Sequence, residues 1–80
     1  MMKGADQNCY IIELEPGVWL NRGHDGDPPR TLRMEFASVW WTYPAACEAL
    51  NTAREYRPFV RAIVHPVSPL HPSVLNEICL

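Results

Sequence analysis

The stretch from Phe36 to Tyr56, FASVWWTYPAACEALNTAREY, constrains the fold of this chain more than any other. It holds two of the three Trp residues and the one long helical pattern. Thr42 is placed to cap the helix, and Pro44 falls in its first turn, where a missing N–H does no harm. Ala46, Ala49, Leu50 and Ala53 recur at helical spacing and form the inner face. Three of those four are Ala, so the helix can lie close on a sheet while the surrounding aromatics supply core volume. Arg54 and Arg57 suit the negative end of the helix dipole and Pro58 blocks continuation, so a helix is predicted from Thr42 to about Tyr56.

The segments around it read as strands. In CYIIELE, residues 9–15, Tyr10, Ile12 and Leu14 share one face, and Ile11, Glu13 and Glu15 share the other. Glu15-Pro16-Gly17-Val18 has the Pro and Gly of a type II turn, and Val18-Trp19-Leu20 returns as the second arm of a hairpin. Residues 21–30, NRGHDGDPPR, have nothing apolar to bury and read as a loop. TLRMEF, residues 31–36, alternates strictly, which predicts a third strand with Leu32, Met34 and Phe36 inward. Ala37 to Trp41 either extends it or turns the corner into the helix. FVRAIVH, residues 59–65, is the fourth expected strand, ended by Pro66. Residues 66–80 read as a Pro-rich extension carrying one short helix, capped by Ser73, with Val74, Leu75 and Ile78 as its apolar face.

The fold expected is therefore α+β: a small, mostly antiparallel sheet of about four strands, covered on one face by one main helix, with a short C-terminal helix. Eighty residues make a single domain, 1–80, with a loose N-terminus over 1–8. A chain this short buries only about 60–65% of its unfolded surface. The helix is expected on the sheet face carrying Ile12, Leu14, Leu32, Met34 and Phe36.

Charge and cysteine usage narrow the function. The net charge of −2 argues against a nucleic-acid binder working through bulk charge. Residues 1–27 carry Asp6, Glu13, Glu15, Asp25 and Asp27 against Lys3 and Arg22, whereas residues 28–61 carry five Arg against three Glu. An acidic first third precedes a mildly basic middle. Cys9, Cys47 and Cys79 are widely separated, contain no C-x-x-C and are odd in number, which does not describe a disulfide-stapled domain. No apolar run approaches the roughly 20 residues of a membrane span, and MMKGADQ lacks the apolar core of a signal peptide. These features lead to the expectation of a cytosolic protein without membrane contact.

No arrangement of residues reads as catalytic, cofactor-binding or metal-binding. His24, Asp25 and Asp27 lack the further oxygens and distal Glu of a calcium loop. His65, His71 and Cys79 match no zinc spacing and lack a fourth ligand. Cys47, one residue beyond the small inner face, reads as a packing thiol. Glu13 and Glu15 share a strand face with no cleft expected above them. Trp40-Trp41 is more informative. Adjacent residues near a strand end point to opposite sides, so one belongs to the core and the other either covers the sheet edge or contacts a partner. The expected partner-binding set is Glu13, Glu15, Asp25, Asp27, Trp40 and Trp41.

The order YIIELEPGVWL, TLRMEFA, TYPAACEALNTAREY, FVRAIVHPV resembles small standalone proteins of phages and prophages. It is similar in particular to the anti-CRISPR inhibitors of type I systems, over about Tyr10 to Val67. That class has no defining motif, so no functional residue is carried over from it. The resemblance implies a viral, non-catalytic inhibitor acting in the host cytoplasm. It would bind a CRISPR-Cas effector subunit, make no direct contact with nucleic acid and need no cofactor. The alternative reading is a generic protein-interaction module, homodimeric through its sheet edges.

Overall fold

The computed structural model describes residues 8–23, 26 and 28–78. Four strands, β1 (Cys9–Glu15), β2 (Val18–Leu20), β3 (Arg30–Thr31) and β4 (Ile63–Val67), form one sheet in the order β3-β2-β1-β4. Every neighbouring pair is antiparallel. Helix α1 (Tyr43–Ala53) covers one face, and a short helix α2 (Pro72–Ile78) follows β4. The expected α+β architecture is the one observed.

The hairpin forms where expected. Gly17 takes φ +81°, the left-handed value that a type II turn asks of its third residue. Its N–H donates to Glu13 Oε2 at 3.0 Å. The register between β1 and β2 slips between Glu13 and Glu15, so β1 carries one extra residue there. Beyond Leu20 the pairing changes hands. Ser38 N–H donates to the Leu20 carbonyl at 3.0 Å, and Tyr10 and Trp40 exchange both backbone bonds at 2.8 Å. One edge of β1 is thus completed by two separate segments.

Helix α1 starts as its sequence directs. The Thr42 hydroxyl accepts the Ala45 N–H at 3.2 Å, and Pro44 lies in the first turn. Ala46, Leu50 and Ala53 are buried on Ile12, Leu14, Leu20 and Phe59, with Ala49 half-buried beside them. Regular helix stops at Ala53, and residues 54–56 continue only as turns, short of the expected Tyr56.

Further expectations fail. The strand over residues 31–36 ends after Thr31, because the Thr31 hydroxyl accepts the Arg33 N–H at 3.2 Å and turns the chain out of the ladder. Met34–Phe36 is a 3₁₀ turn, and Leu32, Met34 and Phe36 are exposed rather than packed under α1. The last strand is shifted towards the C-terminus. Residues 59–62 form a turn, Val60 is 85% exposed, and pairing runs from Ile63 through Pro66 to Val67. Pro66 fits because Tyr10, its partner, directs its own N–H and C=O to Trp40 on the other side. Tyr10 and Pro66 are therefore a non-hydrogen-bonded pair, and the missing N–H of Pro66 falls on the free edge of the sheet. Finally, α2 begins at Pro72, so the residue before it, His71, is the cap. His71 Nδ1 accepts the Ser73 N–H at 3.1 Å, and Ser73 itself is buried inside the helix.

The C-terminal segment belongs to the folded body. Val74 is buried with Cys9, Ile11, Ala37 and Val39 in a second core on the sheet face opposite α1. Leu75 stays exposed, and the side chain of Ile78 lies outside the described residues. Asn76 Nδ2 donates to the Glu35 carbonyl at 2.6 Å, and Arg22 pairs with Glu77 at 2.8 Å. The first half of β1 is thus buried on both faces.

Candidate functional site

The open end of the second sheet face carries Glu13. Glu13 Oε1 lies 2.9 Å from His65 Nε2 while Oε2 accepts the Gly17 N–H. The Gly17 bond first, and then His65, hold the Glu13 carboxyl below the ordinary carboxylate range. The Trp19 ring lies tilted against the His65 ring, with centroids 5.5 Å apart. Only 19% of the Glu13 side chain is exposed. Both of its oxygens have partners inside the chain, so it ties the hairpin turn to β4. Glu15 is more open and meets Arg57 Nη1 at 3.4 Å. Asp25 and Asp27 lie outside the described residues, as do His24 and Cys79. Among the described residues, no group of three or more His, Cys, Asp or Glu could hold a metal ion. No helix among them is long and apolar enough to cross a membrane.

The two adjacent Trp residues separate as their backbone requires. Trp40, bridged to Tyr10, is half-buried against the α1 core. The Arg22 guanidinium sits 4.9 Å from its ring centroid while also pairing with Glu77. Trp40 and Arg22 line an open, mostly apolar groove of about 310 Å³, with Leu20, Pro29, Ala53 and Tyr56 around it. Trp41 faces out and is 55% exposed. Beyond the Thr42 cap, Tyr43 is equally exposed and makes an edge-on contact with Tyr10, centroids 5.7 Å apart. Cys47, one turn along α1, pushes the Tyr43 phenol up from its ordinary value through a hydrogen bond.

Two exposed aromatics therefore flank a capped helix start. The backbone beneath them is fixed by the Tyr10–Trp40 bridge and by the Thr42–Ala45 bond. Backbone that is already ordered costs little further to cover, and large exposed aromatics upon it are the residue types enriched at binding hot spots. Comparison with protein families, with curated proteins and with solved structures finds no match to this chain.

The structure does not gather the expected set into one patch. Trp41 sits at the Tyr10 end of β1, Glu15 at the far end, and Glu13 on the opposite sheet face from α1, held by His65. Sequence reasoning missed Tyr43, which the structure leaves exposed directly after the Thr42 cap. It also missed the cationic loop Arg57-Pro58-Phe59-Val60-Arg61 at the Glu15 end, because Arg57 and Pro58 read as the end of the helix and residues 59–61 as the start of the fourth strand. Phe59 there takes φ +47°, a left-handed conformation that costs a bulky residue about 1–3 kcal/mol, while its ring is buried in the α1 core.

Proposed function

We propose that this chain is a non-catalytic inhibitor of the anti-CRISPR kind. In this reading it binds a subunit of a type I CRISPR effector in the host cytoplasm and blocks DNA recognition by occupancy. The observation that carries the binding mode is the pair Trp41 and Tyr43, each 55% exposed on either side of the α1 cap. The order of hairpin, helix and last strand, which this chain shares with the small phage proteins it resembles, supports the choice of partner, without TLRMEFA, which is not a strand beyond Thr31. Aromatic anchors on a rigid element supply short-range affinity. Glu15, with Asp25 and Asp27, supplies charge complementary to a basic groove that normally holds phosphate backbone. Glu13 contributes through the fold, since its oxygens are engaged within the chain.

The test uses a purified type I effector and its target DNA. Stoichiometric protein should lower DNA binding by the effector. The complex should weaken as salt rises, because screening at physiological ionic strength acts over about 8 Å. Replacing Trp41 and Tyr43 together by Ala should weaken the complex at least tenfold with the thermal midpoint nearly unchanged. Glu15→Gln with Asp25→Asn and Asp27→Asn should chiefly reduce the salt dependence. An effector that binds DNA equally well with and without the protein refutes the inhibitor reading. Unchanged affinity in the aromatic variant refutes the anchoring.

A further inference from the structure

The loop at the far end of β1 has a chemistry that this function does not use. Arg57 and Arg61 line one open cleft of about 340 Å³ together with Glu15, Pro16 and residues 58–60. The loop backbone is held from behind by Arg54. Its Nε donates to the Pro58 carbonyl at 3.1 Å and its Nη2 to the Phe59 carbonyl at 3.4 Å. In a trans peptide the N–H points opposite to the C=O. The N–H groups of Phe59 and Val60 are therefore turned away from Arg54. They and the Arg61 N–H donate to no acceptor among the described residues. The Phe59 ring, 6% exposed, anchors the loop, and its left-handed φ sets the crank between the two peptide planes.

We propose that Arg57–Arg61 is a binding site for a tetrahedral oxyanion, a phosphate group. Two guanidinium groups supply charge and planar donor forks, and the free loop amides supply fixed donors. Glu15 is the built-in competitor. It holds Arg57 by a single contact of 3.4 Å, and an arriving phosphate displaces it. Glu55, exposed just before the loop, is the other carboxylate close to it in the chain. The site is independent of the aromatic anchors, which lie at the opposite end of β1.

The experiment is a ¹H–¹⁵N amide titration of the full chain with sodium phosphate, at ionic strength held constant with sodium chloride. The Phe59, Val60 and Arg61 amides should shift saturably, and amides around Trp41 should not. Arg57→Gln with Arg61→Gln should weaken apparent affinity at least tenfold, and each single substitution severalfold. Glu15→Gln should strengthen it severalfold, a direction that a merely structural role for Glu15 does not produce. A parallel titration with phosphoserine separates free phosphate from a phosphorylated side chain as the natural source, and saturable shifts with either ligand support the site. The proposal is overturned if no saturable shift reaches the loop amides with either ligand. It is equally overturned if the Arg variants bind as the parent does, or if Glu15→Gln fails to tighten binding.

Discussion

Glu13 shows how a surface carboxylate becomes structural. It receives a backbone N–H on one oxygen and a His ring on the other, and so joins β1, the hairpin turn and β4. Because its folded pKa lies below the ordinary 4.5, the group stabilises the fold above that value. That contribution is lost as pH falls through the folded pKa. Thermal midpoints measured by circular dichroism between pH 6 and pH 3 should therefore fall more steeply for the parent than for Glu13→Gln. Parallel pH profiles would show that the pair carries no such coupling. The alternation of CYIIELE places Glu13 on the face opposite α1, but it does not show that β4 sets His65 beside it. Cross-strand partners depend on register, and the register here follows from a strand that starts four residues later than FVRAIVH suggests.

At the scale of elements, α1 was the legible part. Its cap, its first-turn Pro and its small inner face are all local signals, and each is realised by a contact in the structure. Leu50 is the one large side chain on that face, buried against Ile12, Leu14 and Leu20. Leu50→Ala should cost about 2–4 kcal/mol through lost transfer energy and a residual cavity. Chemical denaturation measures it, and a loss under half a kcal/mol would mean that the helix face is misassigned. TLRMEF misled because alternation reports only that a face could be buried. It does not report whether anything covers it, and Thr31 ended the strand with its own hydroxyl. The second core was legible in part. Cys9 and Ile11 make the start of β1 apolar on both faces, the mark of a strand covered twice, yet the cover comes from Val74 in a segment that composition marks as an extension. The Phe59 turn left no signal, since an aromatic residue has no preference for positive φ.

At the scale of the molecule, the aromatic surface and the cationic loop stand at opposite ends of β1, about 20 Å apart for a seven-residue strand. A partner that uses both Trp41 and Glu15 must span this length, whereas one held by the aromatics alone leaves the loop free. The sheet edges bear on the homodimer reading. β3 is two residues long, and on β4 the outward position at Pro66 offers no N–H, so neither edge is a good template for strand addition. Pro66→Thr restores that donor on a strand whose Val64 backbone N–H and C=O also point to the free edge. The variant should self-associate at lower concentration than the parent, as read by light scattering at matched concentrations. Equal masses for the two proteins would show that Pro66 does not guard the edge.

The handover along β1, where β2 serves one half and Trp40 the other, also governs how the protein can come apart. β1 is the one strand whose loss removes the hairpin, the Trp40 bridge, the β4 ladder and the sheet side of both cores together. β3 or α2 can open alone and leave the remaining pairings intact. Local opening is therefore confined to the periphery. The Ile11 and Glu13 amides, which face β4, become accessible to solvent hydrogen only when the whole chain unfolds.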